Sequence, residues 1–253
     1  MLHPLLLRVE VVVYVLVVES DQGPVLIDTG FGSRDYLAPS PRLSLFLRAM
    51  GVRRRLDETA AAQLRSIGVD PRSVRHIVLT HLHFDHAGGL ADFPEAEVHV
   101  HGPEYRAAVN RQGFMAVGYE PAQWAHGPRW VFHEGCHRQW FGFDCLPVFE
   151  RSRPEILLVP LPGHTLGHCG VAIEQPDGWL FHCGDAASPY HPDTNLYPRE
   201  RARYAMGFVP RRFARRVIGS HVPRLRSLIR EHGGQVTVIS AHDTFAFRRL
   251  QAG

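Results

Sequence analysis

The chain has 253 residues, 45% of them hydrophobic, and a formal net charge of +3. That length accommodates one large core or two small ones, and no Ser/Gly linker or low-complexity tract divides it, so a single domain over 1–253 is expected. All 28 basic residues are arginine, which excludes a Schiff base, a lysine general base and a P-loop lysine.

The first apolar run, Leu5 to Val18, has the composition of a signal peptide or a membrane span. Arg8 and Glu10 interrupt it, no basic leader or small-residue cleavage site accompanies it, and its β-branched residues favour a buried strand over Leu7 to Val18. A strand over Pro24 to Ile27 leads into Asp28-Thr29-Gly30, and Pro39-Ser40-Pro41 reads as a loop. Asp57 is placed to cap a helix over Glu58 to Ile67 that Gly68 closes. Strands follow at His76 to Leu79 and Glu97 to Val100, and Pro103 opens a helix over Glu104 to Arg111 before Gly113.

The stretch at about 104–153 carries Trp124, Trp130, Phe132, Trp140, Phe141, Phe143 and Phe149 and reads as an aromatic-rich, loop-rich insertion. Its rings either wall a pocket for an apolar acyl chain or pack on the body of the protein or a second subunit. Further strands are expected at Ile156 to Pro160, Val171 to Ile173, Gly178 to His182 and Gln235 to Ser240, with a helix over Arg224 to His232 between Pro223 and Gly233-Gly234. Val12 to Asp28 and Val171 to Asp185 share a pattern of strand, turn and strand ending in Asp, as a two-fold internal repeat would. This order points to two packed sheets flanked by helices.

Arg199, Arg201, Arg203, Arg211, Arg212, Arg215 and Arg216 form a basic cluster that reads as a solvated helix face or subunit contact, or alternatively as a site for anions. With no nucleic-acid module in view, no nucleic-acid partner is expected. A homodimer is the base-rate expectation. Cys136, Cys145, Cys169 and Cys183 lack CxxC spacing, and without an export signal they read as free thiols of a cytoplasmic protein with no membrane association.

The chemistry concentrates in Thr80-His81-Leu82-His83-Phe84-Asp85-His86-Ala87-Gly88-Gly89, directly after apolar Ile77-Val78-Leu79. Imidazole nitrogens and carboxylate oxygens suit zinc and similar divalent ions, and crowding them together without an ion wastes desolvation energy. Downstream, His164 in Gly163-His164-Thr165-Leu166-Gly167-His168, Asp185 after Gly184 and His242 before Asp243 each fall just past an expected strand. His168 reads as a buried support rather than a ligand, and Cys183 as a structural thiol. His99, His101, His133, His137 and His191 have no partner that the sequence identifies and read as surface or packing histidines.

The pattern HxHxDH followed by His, Asp and His resembles the metallo-β-lactamase superfamily over about Val12 to Asp243, with all seven positions filled. The resemblance implies an α/β (α+β) fold, an αββα sandwich of two mixed β-sheets flanked by helices. It implies two divalent metal ions, with zinc expected and manganese, cobalt or iron also compatible. By residue-by-residue matching, His81, His83 and His164 belong to the first ion, Asp85, His86 and His242 to the second, and Asp185 bridges them. A hydroxide shared by ions about 3.5–4 Å apart is then the expected nucleophile, with Asp85 as a catalytic group that orients it or carries a proton. Asp28 is expected to hold a ligand imidazole.

Within the superfamily, the THxHxDHxGG and GHTxGH stretches resemble glyoxalase II, a thioester hydrolase. The short tail after His242 and the His242-Asp243 pair are more similar to the acyl-homoserine lactonases. One departure is Ser188, where those lactonases commonly carry a tyrosine; Tyr190 is nearby in sequence. The expectation is therefore hydrolysis of a small-molecule ester or lactone with a hydrophobic portion. Alternatives are a thioester hydrolase of glyoxalase II type, a phosphodiesterase, and a non-enzymatic metal-binding protein.

Overall fold

The structure, a computed structural model, describes residues 12–113, 115–135, 138–187 and 221–252. Ser188, Tyr190, His191, Cys136, His137, the arginine cluster from Arg199 to Arg216 and the first part of the expected Leu7 to Val18 strand lie outside the described residues.

Strand alternation builds the architecture, because successive side chains serve different layers. In β2 (Gly23–Ile27), Val25 and Ile27 meet Ile156, Leu158 and Val171 of the opposite sheet, whereas Leu26 meets helical residues. The same split holds in β8 (Ile156–Pro160), where Ile156 and Leu158 point into the sandwich and Leu157 and Val159 point out.

The first sheet runs β1 (Leu16–Ser20), β2, β3 (His76–Val78), β4 (Glu97–His101) and β5 (Arg129–His133). The second runs β11 (Val236–Ile239), β10 (Gly178–His182), β9 (Cys169–Gln175), β8, β7 (Phe143–Pro147) and β6 (Arg138–Trp140). Both are mixed: β2, β3, β4 and β5 are parallel neighbours, as are β10 and β11, and the remaining pairs are antiparallel.

Helices cover the outer faces. Ala60, Ala61 and Leu64 of α3 (Ala60–Ser66) and Ala107 and Ala108 of α4 (Gly102–Val109) pack on Ile77, Leu79, Val98 and Val100. Leu225 and Leu228 of α5 (Val222–His232) pack on Phe181, Val236 and Val238 of the second sheet. The result is the αββα sandwich that the sequence led us to expect. Asp243 Oδ1 accepts from Ala246 N at 3.0 Å in the first turn of α6 (Thr244–Ala252). Among the described residues, no helix is long and apolar enough to cross a membrane.

Three local expectations are corrected. The Pro39-Ser40-Pro41 patch is a helix start: Ser40 accepts a hydrogen bond from Leu43 N at 3.1 Å and Pro41 opens α2 (Pro41–Ala49), which follows the short α1 (Ser33–Leu37). The cap of α3 is Thr59, whose Oγ1 accepts from Ala62 N; Asp57 lies in a 3-10 turn paired with Arg55. The segment at 104–153 is woven into the sandwich, since β5 is the edge of the first sheet and β6 and β7 extend the second. Its aromatic rings follow that placement. Trp140 and Phe143 are buried under α5, Trp124 and Trp130 pack on the helical side of the first sheet, and Phe149 packs between the sheets.

Candidate metal centre

The strands β2, β3, β8, β10 and β11 all end at one rim of the sandwich, and each is followed by a turn carrying polar residues. This rim brings all seven expected ligand residues together. His81, His83 and His164 form one group whose donor atoms lie within 4.8 Å of one another, and Asp85, His86 and His242 form another. Asp185 lies between them: its Oδ2 is 3.2 Å from His164 Nε2, and its Oδ1 is 3.3 Å from His242 Nε2 and 3.7 Å from His86 Nε2. His83 turns Nδ1 towards His164 Nε2 at 2.9 Å.

The rings are held from behind. Asp28 Oδ2 accepts from His86 Nδ1 and from Thr80 Oγ1, both at 2.8 Å, while its Oδ1 accepts from Thr80 N. His81 Nδ1 is 3.0 Å from Thr80 Oγ1, and His242 Nδ1 donates to the Val12 carbonyl at 2.9 Å. Each of these contacts engages Nδ1 and turns Nε2 into the centre, the arrangement that ligating imidazoles use. Asp28 thus takes the supporting position expected of it, at φ +58°, with Thr29 closing the turn on the His86 carbonyl. Gly89 allows the close approach of that turn, since a Cβ there would come within 2.8 Å of the Thr29 carbonyl oxygen.

Two supports were not legible in the sequence. Glu104, fully buried at the start of α4, accepts from Leu82 N at 2.9 Å, between His81 and His83. Its other oxygen accepts from Thr165 Oγ1 at 2.6 Å and Gly167 N at 3.1 Å in the His164 loop. A Cβ at position 167 would meet Glu104 N at 2.0 Å, so only glycine lets the loop come this close. The only sequence signal was an acid in the first turn of a helix. His182, also buried, accepts from Gly184 N at 3.2 Å. His168 behaves as a support too: its Nε2 accepts from Asp185 N at 3.0 Å. Cys183 is buried in the core of the second sheet, as a structural thiol.

Electrostatics separate the two groups. Burial drives His81 and His83 well below the usual imidazole range, which leaves them neutral with lone pairs free. Burial also acts against a charge on His86 and His242, yet Asp28, Asp85 and Asp185 hold His86 up at about 9, and Asp185 and Asp85 hold His242 up at about 10. Against its own burial, Asp185 is kept well below the carboxylate range by His242 and His164. The buried atoms His81 Nε2, His86 Nε2 and Asp185 Oδ1 have no hydrogen-bond partner. Orphaned polar atoms in a buried setting are costly, and a divalent cation that takes up their lone pairs, displacing any proton they hold, is the group that satisfies them together. The residues present therefore fit divalent metal ions.

Nitrogen and carboxylate donors gathered at the open rim of an αββα sandwich define a class of metal-dependent hydrolases. Residues 8–231 match the metallo-β-lactamase superfamily, and the chain belongs to it. It is 40% identical over 233 residues to a probable metallo-hydrolase of Mycobacterium tuberculosis, covering 91% of this chain and 74% of that one. An N-acyl homoserine lactonase of Bacillus thuringiensis is 26% identical over 163 residues, 64% of this chain and 58% of the relative. A solved N-acyl homoserine lactone hydrolase, with the product N-hexanoyl-L-homoserine at its catalytic metal center, superposes with a TM-score of 0.64 at 20% identity, covering 94% and 84% of the two chains. AidC, a dizinc quorum-quenching lactonase, gives 0.58 at 16% identity over 94% and 73%. At these identities the structural likeness speaks for the fold.

Proposed function

We propose that this metallo-hydrolase holds two ions, zinc first among the candidates, and cleaves an ester or lactone that carries a hydrophobic portion. The observation that carries the reading is the pair of donor groups flanking Asp185, each completed by supports that turn a lone pair inward. Ions bound there would supply Lewis acidity towards a carbonyl oxygen and lower the pKa of water towards about 7.

The remaining chemistry belongs to the chain. Asp85 is 3.4 Å from His242 Nε2, and with its side chain 19% exposed it is the most accessible of the seven residues. A carboxylate in that position can hold the proton released by the attacking water and return it to the leaving alkoxide. Asp185 orients His164 and His242 through its two oxygens.

Apolar residues flank the centre. Phe84, next to Asp85, packs on Phe46 with ring centroids 4.3 Å apart and on Phe31 at 6.0 Å, while Leu166 and Val117 are more than half exposed. Phe84, Leu166 and Val117 offer apolar surface beside the centre, whereas Trp124, Trp130 and Trp140 pack on the body of the protein. Lactonase relatives at low identity support the same substrate class.

The test is proton release by pH-stat from a long-chain acyl-homoserine lactone, using zinc- or cobalt-loaded protein with His83→Ala as control. Turnover that disappears in the control supports the lactonase reading. Release no greater than in the control sinks it for that substrate and moves thioesters and phosphodiesters forward. Asp85→Asn, at full metal content, is expected to lose turnover; full activity would remove Asp85 from the proton path.

A further inference from the structure

The face of the first sheet that looks into the sandwich changes character across the strands. At Val25, Ile27 and Val78 it is aliphatic and packs on the second sheet. Towards the β4–β5 edge the same alternation places His76, Glu97, His99 and His133 on that face, with His76 opposite Glu97 and His101 opposite His133 in the register. His99 is 3% exposed, yet its ring nitrogens meet other imidazoles: Nε2 lies 3.1 Å from His76 Nδ1, and Nδ1 lies 3.0 Å from His133 Nε2. His76 Nδ1 is also 3.7 Å from Glu97 Oε2. Polar groups placed where a sandwich normally buries aliphatic side chains cost desolvation energy unless hydrogen bonds or a bound ion offset it.

We propose that His76, Glu97 and His99 form a further divalent-metal site, of the kind that takes zinc, separate from the centre at His81 to His242. Their three donor atoms lie within 4.8 Å of one another. Zinc arms of about 2.0–2.1 Å in a tetrahedron set donor-to-donor edges of about 3.3 Å. The 3.1 Å and 3.7 Å separations bracket that edge.

The surroundings complete the arrangement. A cation on His99 Nε2 fixes the direction of the neighbouring bond, so that His99 Nδ1–H donates to His133 Nε2, the outer contact that steadies a ligating imidazole. Phe149 sets its edge against both rings, with centroids 4.9 Å from His76 and 5.2 Å from His99. Burial lowers both His99 and His76, the direction that favours neutral imidazoles. The side chains of His76 and Glu97 are 16% and 44% exposed, which opens the site to ions and leaves coordination positions for solvent. His76 begins β3 and His81 lies beyond its other end, up to about 16 Å away at roughly 3.3 Å per residue. The two donor sets share no residue, so either can be removed by substitution without touching the other.

The test is equilibrium dialysis of the full chain against micromolar zinc chloride, with zinc and protein quantified in wild type, His76→Gln, Glu97→Gln and Asp185→Asn. Both test positions are partly exposed, and circular dichroism checks that the variants fold. We expect His76→Gln and Glu97→Gln each to bind one zinc fewer than wild type, with ester turnover within twofold of wild type, whereas Asp185→Asn retains this ion. Equal zinc content in wild type, His76→Gln and Glu97→Gln would overturn the proposal and leave a hydrogen-bonded histidine row. The comparison is a difference, so incomplete loading of the principal centre lowers every total without hiding the missing ion.

Discussion

Glu104 ties together the two loops that carry His81, His83 and His164, and glutamine at this position tests the tie. The carboxylate accepts three hydrogen bonds, from Leu82 N, Thr165 Oγ1 and Gly167 N, in a fully buried setting. An amide has one acceptor oxygen and one nitrogen that only donates. Thr165 can rotate its hydroxyl to accept, but Leu82 N and Gly167 N cannot reverse. Whichever way the amide turns, one backbone N–H faces another donor, and an orphaned buried group costs about 1–3 kcal/mol. Part of that is recovered, because burial raises the Glu104 pKa, so a neutral side chain is cheaper to bury. The net expectation is about 1–2 kcal/mol lower stability for metal-free Glu104→Gln in guanidinium unfolding, and about tenfold weaker zinc binding by chelator competition. Unchanged zinc affinity, even with lower stability, would refute the tie and leave Glu104 as a packing group.

Asp28→Asn keeps a side chain that tolerates the positive φ but offers His86 an amide in place of a carboxylate, so zinc affinity is expected to fall about 10–100-fold; equal affinity by competition titration would count against the support role. Asp35 is raised from 3.8 to about 6, chiefly by burial, so the folded state holds its proton more tightly and this group's contribution is fully present below pH 3.8 and lost as pH rises through about 6. Asp35→Asn should therefore gain up to about 3 kcal/mol relative to wild type between pH 3.8 and pH 7, and parallel pH profiles of unfolding would contradict this. Phe84→Ala removes the ring beside Asp85; the preference for long over short acyl chains in kcat/KM is expected to fall about tenfold, and an unchanged preference would place the acyl chain elsewhere.

The fold was legible wherever alternation and length agreed. β2, β3, β4, β8 and β10 sit within a residue or two of their expected spans because their apolar residues are continuous or alternating and are bounded by turn residues. α2 was missed even though its signal was present: Ser40 and Pro41 form a standard helix start, and Leu43 and Leu47, four apart, are buried on one face. Two prolines within three residues have the look of loop punctuation, yet one of them occupies the first helical position. β5 is harder to see. Its pairing to β4 joins residues 32 positions apart, such as Glu97 and Arg129, and its apolar face is only the two rings Trp130 and Phe132, flanked by Arg129 and His133.

At the centre, the same distinction separates what a chain displays from what folding creates. The seven candidate donors are visible because one turn carries four of them, each of the others falls shortly after a strand, and the resemblance to the superfamily pattern joins them into one set. Their supports carry no such mark. Glu104 reaches partners 22, 61 and 63 residues away, Asp28 reaches His86 across 58, and Val12 accepts from His242 across 230. A carboxylate at a helix start is an ordinary choice for the helix dipole, and nothing in its neighbours announces that it joins two loops. The His76–His99–His133 row is concealed in the same way, because only the register of three parallel strands turns scattered histidines into neighbours. Donor identity sets the reaction class and is local, whereas ring orientation and ion affinity depend on contacts between distant segments, so substitutions at the distant supports are the more informative probes of how this centre is tuned.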